Sequence, residues 1–370
     1  MSNLVAVFQI GSLGDSIVSV PTLLSIREFL PDCSEYLLVS GFYSKMKVSP
    51  SDIFKMAWKP KKHLEYAGPE NRLHQLWSVP SVLAKLRYYK PRYCVSLMPA
   101  DREPYRIERD RRFFRAAGIK KLLGFEPYPA SMFTLSSATS VEGTEAYQRF
   151  QRLWGEASAE KFATYARVPI LQPSDNAVRK ADQWLMQQRK HPGKRLIAIS
   201  PYSNFPSRDI PDQTIAELVS GLTKDADAEI VMVGGHKDAV RAAKILGSDG
   251  LNACGEFSVQ ESAALLKACS LAICTESGPM HLASAVGVPL LATFSRINVQ
   301  LARWLPFGQR STILYREVPC AGCIAVNCPV AGHPCMEKIK ADQILSAAMS
   351  ILNGLPVVGD AFDGTKVLHW

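Results

Sequence analysis

Four places in this chain hold residues able to do chemistry. The first is Thr275-Glu276-Ser277-Gly278-Pro279-Met280-His281, which follows the apolar run Leu271–Cys274. That run reads as a buried strand of a parallel sheet, and Met280–Val286 reads as the first turns of a helix. Pro279 suits the first helical position and Ser277 the N-cap. A small-residue turn that opens a helix leaves backbone N–H groups at the positive helix end, a site for phosphate. Glu276 stands at the strand's carboxyl end, where open α/β sheets bind ligands. An ordinary strand–turn–helix joint with a capping serine shares this pattern. The second place is Gly11-Ser12-Leu13-Gly14-Asp15, between the apolar Leu4–Ile10 and the helically spaced Ser16–Leu30. Its glycines allow close approach of a backbone or ligand. Gly-Lys-Ser/Thr and Gly-x-Gly-x-x-Gly are both absent, and Asp15 also suits a helix cap.

The third place is Pro201–Pro211, a loop rich in hydroxyls, including Ser203, with one cation, Arg208. An arginine there suits a diphosphate; a surface loop with an incidental arginine is the alternative. The fourth is Cys320, Cys323, Cys328 and Cys335, spaced C-x2-C-x4-C-x6-C. Four thiols in a short segment suit tetrahedral zinc or iron. Reduced thiols or two local disulfides fit the spacing as well.

These places need strands and helices to hold them. Tyr36–Ser40, Tyr93–Leu97, Arg195–Ser200, Glu229–Val233 and Val288–Phe294 read as further strands, and Leu73–Leu86 as a helix. The strand at 229–233 ends in Gly234-Gly235, which suits close packing against a nucleotide. Strands alternating with helices in both halves predict an α/β protein of two doubly wound domains. Leu171–Asp175 reads as the linker, with Ser174 or Asp175 capping the next helix. The predicted domains are 1–172 and 173–353, with a tail at 354–370. Arg102, Arg106, Arg109, Arg111, Arg112, Arg115, Lys120 and Lys121 form a basic run. It reads as a solvated helix face or as a site for an acidic acceptor.

At 370 residues, with 47% hydrophobic and 21% charged, the chain has apolar material for two cores. Its net charge of +9 points to an anionic partner. No apolar stretch approaches the ~20 residues of a membrane span. Met1–Ile10 has no basic segment before its apolar run, so no signal peptide is expected there. A cytoplasmic location is expected, with cysteines reduced or metal-bound.

Glu276-Ser-Gly-Pro-Met-His-Leu-Ala283 resembles the signature of glycosyltransferase family 9, the ADP-heptose:lipopolysaccharide heptosyltransferases, with Glu276 in place of the usual Asp. Gly11–Asp15, with Pro21 and Arg27, is similar to that family's N-terminal motif. Pro201–Pro211 is similar to its donor-phosphate loop, with Arg208 where lysine is usual and Ile210 where tryptophan is. Arg115–Phe125 resembles its helix–Gly–strand segment, whereas Phe294-Ser295-Arg296 departs from its Phe-Gly-Pro. The resemblance implies a GT-B fold of two Rossmann-like domains facing a cleft, and inverting sugar transfer from an ADP-heptose-like donor. It makes Asp15 the general base. It makes Gly14, Ser203, Arg208, Gly234, Glu276, Ser277, Gly278, Pro279, Met280 and His281 the donor contacts, although a structural role suits His281 equally. No cofactor is implied for catalysis. The implied acceptor is an anionic lipopolysaccharide-core glycolipid, met at the inner membrane face by Arg109, Arg111 and Arg112. No nucleic acid is implied. Two alternatives remain: the same fold with another nucleotide sugar, and a non-catalytic glycolipid-binding protein.

Overall fold

Short strands buried on both faces set the architecture, because only a parallel sheet covered by helices hides such runs completely. The computed structural model describes residues 3–42, 48–68, 71–99, 102–127, 141–155, 159–295, 303–306, 311–320, 325–358 and 364–369. By internal contacts the chain divides into two units. One is Met1–Ile170 with Ala302–Trp304, the other Leu171–Leu301 with Leu305–Trp370.

The first unit runs β1 (Leu4–Phe8), α1 (Leu13–Ile17), α2 (Val20–Phe29), β2 (Glu35–Phe42), α3 (Pro50–Phe54), β3 (Lys62–Ala67), α4 (Arg72–Tyr89), β4 (Tyr93–Ser96), α5 (Pro104–Ala116), β5 (Lys121–Leu123), α6 (Glu145–Trp154) and α7 (Ala159–Tyr165). Its strands are all parallel, in the order β3-β2-β1-β4-β5. Val5 of β1 pairs with both Tyr36 and Tyr93. Strand order reverses between β1 and β4, so the crevice beyond the carboxyl end of β1 is the topological switch point. Phe8, Phe114 and Phe125 meet edge to face in the core beneath it.

The second unit runs α8 (Asp175–Gln188), β6 (Arg195–Ser200), α9 (Asp212–Asp225), β7 (Ala228–Met232), α10 (Ala239–Leu246), β8 (Leu251–Asn252), α11 (Val259–Lys267), β9 (Leu271–Thr275), α12 (Gly278–Ala285), β10 (Leu290–Phe294), β11 (Ser311–Arg316), α13 (Pro334–Glu337), α14 (Ala341–Leu352) and β12 (Thr365–His369). The sheet order is β12-β11-β10-β9-β6-β7-β8. Its reversal lies between β6 and β9, so the loops leaving those two strands share a switch point. Residues 354–370, expected as a tail, instead supply β12, which pairs antiparallel with β11 from Thr312↔His369 to Arg316↔Thr365. Ser174 caps α8 by accepting from Ala177 N. Among the described residues no helix is long and apolar enough to cross a membrane.

Candidate functional site

The helix expected from Ser16 to Leu30 is two helices, α1 and α2, broken at Val18-Ser19. The break follows from who takes the carbonyl of Asp15. In a continuous helix the Ser19 amide would bond it; here that amide bonds Ser16 O at 3.2 Å. Asp15 O accepts instead from Ser19 Oγ at 2.8 Å and from Arg149 Nη1 at 2.8 Å. Asp15 is not the N-cap but the third residue of α1. Its Oδ2 accepts from Ser12 N at 2.8 Å and Ser12 Oγ at 2.7 Å, closing a capping box. The carboxylate thus stays partly solvent-accessible at the end of β1. Gly11 is required for this: a Cβ there would lie 2.4 Å from Asp15 Cβ. Gly14 is buried inside α1 and offers no side chain to a ligand.

Behind Asp15 lies a buried charge chain that motif reading did not find. Arg149 of α6 is fully buried. It donates from Nη1 to Asp15 O and Ser19 Oγ, and from Nε to Glu145 Oε1 at 2.8 Å. Its Nη2 lies 3.8 Å from Asp15 Oδ1. Glu145 Oε2 accepts from Arg303 Nε at 2.8 Å, and Arg303 packs with the first unit. Burial alone would raise the Glu145 pKa, but the charges and hydrogen bonds of Arg149 and Arg303 outweigh it and hold the carboxyl below its usual range. In sequence, Glu145 and Arg149 are an i,i+4 pair, which ordinarily marks a solvated helix face.

In the second unit the loop from β6 and the end of β9 converge. Arg208 Nη1 lies 3.5 Å from Glu276 Oε1. The Arg208 carbonyl accepts from Thr275 Oγ1, and its guanidinium stacks on Phe205 at 4.4 Å. The loop is held from within: Ser203 N donates to Asp209 Oδ1 at 2.8 Å, and Ser203 Oγ donates to Phe205 O at 2.6 Å. The Ser203 hydroxyl therefore shapes the loop. Lys237 Nζ donates to Ser203 O at 2.6 Å, and Arg241 pairs with Asp209 at 3.0 Å and with Asp212 at 2.7 Å. Neither cation belongs to a contiguous motif, since both lie beyond the loop they brace. Ile210, at the usual tryptophan position, is buried in the core.

Helix α12 begins at Gly278 with Pro279 second. Ser277 occupies the N-cap position, but its hydroxyl makes no cap bond and donates to Thr275 O at 3.2 Å. Pro279 has no N–H to give. Ser277, Gly278 and Pro279 are half-buried, while Met280 and His281 are buried in the interior. Met280 thus offers a backbone N–H rather than a side chain. Burial lowers the His281 pKa to about 4, so its ring is neutral at pH 7. Gly234 makes room for the protein itself, since a Cβ there would lie 2.9 Å from Asp238 Oδ2 and 3.2 Å from Cys254 Sγ.

Five residues of the basic run, Arg106, Arg109, Arg111, Arg112 and Arg115, lie on α5 in the first unit, with Arg102 before it and Lys120 and Lys121 after it. Arg109 pairs with Asp110 at 2.8 Å, and Arg111 and Arg112 pair with Glu108 at 3.7 Å and 3.0 Å. Arg102 turns inward onto buried Asp110. Of the four spaced cysteines, Cys323 lies outside the described residues. Cys335 is buried in the second unit's core, and Cys328 Sγ donates to Val330 O at 3.5 Å. Among the described residues no three ligand-type side chains gather to hold a metal.

Residues 113–333 match the family described as Glycosyltransferase family 9 (heptosyltransferase). Lipooligosaccharide heptosyltransferase 2 of Campylobacter jejuni subsp. jejuni serotype O:2 is 23% identical over 167 residues, 43% of this chain and 52% of that protein. The chain thus spans about half the length of the curated relatives it matches. Among solved structures, the glycosyl transferase family 9 protein of Veillonella parvula DSM 2008 has a TM-score of 0.73 at 15% identity, covering 96% of this chain and 98% of that one. E. coli ADP-heptose lps heptosyltransferase II has a TM-score of 0.68 at 14% identity, covering 96% and 99%. At these identities the likeness is one of fold, the GT-B class with two Rossmann-like units.

Proposed function

The chain belongs to glycosyltransferase family 9, and from that footing we propose that it is an inverting glycosyltransferase. It moves a heptose or related sugar from an ADP-sugar to an anionic glycolipid acceptor of the lipopolysaccharide-core type. It does so in the cytoplasm, at the inner membrane face. The observation that carries this reading is Asp15. A carboxylate is kept partly accessible at a switch point by a capping box, a glycine and a buried arginine.

The first unit supplies the base. Asp15 takes the proton of the acceptor hydroxyl as its oxygen attacks the anomeric carbon, help worth ~10²–10⁴-fold. The second unit supplies the donor contacts. As the anomeric C–O bond breaks, its electron pair leaves with ADP. Arg208 and the N–H groups at Ser277, Gly278 and Met280 stabilise that charge. Glu276 holds Arg208 and meets donor hydroxyls. Arg109, Arg111 and Arg112 meet the acceptor's anionic groups. The name of the E. coli structural relative, with its ADP-heptose, supports the donor class. No step runs through the cysteine segment.

A thermal-shift screen of nucleotide sugars, followed by an ADP-release assay on lipopolysaccharide-core acceptors, tests the reading. Stabilisation by ADP-sugars, with acceptor-dependent ADP release, is expected. Stabilisation by a uridine or guanosine sugar alone would replace the donor. Donor binding without release on any acceptor would make the protein a binder rather than an enzyme.

A further inference from the structure

Leu73, Leu76 and Trp77 project from α4 with exposures of 78%, 68% and 81%. Their i, i+3, i+4 spacing places them on one helix face. Large apolar side chains so grouped mark an interaction surface. Beside them opens a cavity of about 510 Å³. Tyr66 of β3, Val79 and Pro80 of α4, and Phe113 and Phe114 of α5 wall it, and Leu76 belongs to both cavity and patch. The volume falls within the ~300–1,000 Å³ of small-molecule sites, and the walls are mainly hydrocarbon and aromatic, with Gln75, Arg109 and Asp110 as the polar part of the lining.

Charge completes the surface. Arg109 stands at the cavity rim beside Asp110, whose carboxylate Arg102 also engages. Helix α5 carries five arginines against two carboxylates, and Arg109 and Arg112 are both largely exposed. Exposed Trp and Leu beside an excess of arginine complement the acyl boundary and headgroups of an anionic bilayer. A second copy of this face is a poor partner, since self-apposition would bring the two arginine helices together.

We propose that the α4–α5 face docks on an anionic lipid bilayer and takes one acyl chain into the cavity. This deepens the glycolipid-acceptor reading and rests on it for the biological lipid, but the binding itself needs no turnover.

The test mixes the full chain with vesicles of phosphatidylcholine, or of phosphatidylcholine with phosphatidylglycerol, and sediments them at low and high salt. Sedimentation with the anionic vesicles alone, weakened by salt, is expected. The double variant Leu73→Asn, Trp77→Asn should bind at least ~10-fold more weakly while folding normally by circular dichroism, because both positions are exposed. Brominated acyl chains should quench tryptophan emission in the wild type and less in Trp77→Phe. Titration with cis-parinaric acid should saturate in the wild type and fail in Val79→Trp, which fills the cavity. Wild-type indifference to anionic vesicles, or equal binding by the double variant, overturns the docking surface. So does a dimer that the double variant dissociates. Absence of parinaric acid binding overturns the acyl-chain site. An inactive chain that still binds vesicles leaves the surface standing and refutes only the transfer reading.

Discussion

Arg149 donates to the main-chain carbonyl of Asp15 at 2.8 Å across a sequence separation of 134 residues. The same side chain holds Glu145. One buried guanidinium therefore shares with the Ser19 hydroxyl the carbonyl at the break between α1 and α2, and stands behind the carboxylate that the Ser12 capping box holds. Arginine suits this work because its planar fork donates in several fixed directions at once.

Asp15→Asn should lower turnover by ~10²–10⁴-fold, the usual worth of a general base. ADP affinity should stay close to wild type, because the proposed diphosphate contacts belong to the second unit. Wild-type turnover in this variant would remove Asp15 from the chemistry.

Gly11→Ala tests position rather than charge. The added Cβ would lie 2.4 Å from Asp15 Cβ and 2.9 Å from its Cγ, so the carboxylate must move. Misplacement by ~1 Å can cost on the order of 10²-fold in rate. We expect kcat to fall with the ADP dissociation constant unchanged by calorimetry; an unchanged kcat would show that the turn absorbs the methyl.

Arg149→Met strips Glu145 of one partner and should destabilise the fold by ~3–5 kcal/mol. Arg149→Lys keeps the charge but not the fork, so it should recover stability more than kcat. The pH dependence has a definite sign. Glu145 has a folded pKa below its ordinary 4.5. Its stabilising contribution is present above pH 4.5 and fades as pH falls through the lower folded value. Urea unfolding across that window should show a smaller acid-side loss in Arg149→Met than in wild type. Equal curves would mean that Arg303 alone sets the shift.

His281 titrates in the opposite ionisation class but with the same direction in pH. Its folded pKa of about 4 lies below the ordinary 6.5. Stability from the neutral ring is complete above pH 6.5 and declines as pH drops toward 4, by up to ~3 kcal/mol. His281→Gln should flatten the stability profile between those limits. A profile as steep as wild type would assign the acid loss elsewhere.

Arg208→Ala should weaken ADP binding by ~1.5–3 kcal/mol, the worth of a charged hydrogen bond, and slow transfer as well. Because Glu276 is buried and lies 3.5 Å from Arg208, the double variant with Glu276→Gln should be more stable than Arg208→Ala alone. Unchanged ADP affinity by calorimetry would leave Arg208 as a brace for Glu276 only.

Central elements were legible because burial writes them directly into composition. Leu4–Phe8 and Leu271–Cys274 are unbroken apolar runs that suit the middle of a covered parallel sheet. Edge elements were not. Strand β3 reads Lys-His-Leu-Glu-Tyr-Ala, because an edge strand half-facing solvent keeps polar side chains. Strand β12 is short and antiparallel, and only the partner β11 makes it a strand.

Fold class, family and the two places where strands open onto helices were legible in the chain, since these depend on local periodicity and on motifs contiguous in it. The sequence also marked Asp15, Arg208 and Glu276. Tertiary structure alone decided what each motif residue does: that the Ser277 hydroxyl turns from the helix it begins, that Ser203 spends its hydroxyl within its own loop, and that Met280 and His281 face the core. It alone brought Arg149, Glu145 and Arg303 behind Asp15. The reason is physical. A buried ion pair and an exposed one are written with the same residues at the same spacing. Only packing removes the water that separates a weak surface contact from a charge whose partner the fold must supply.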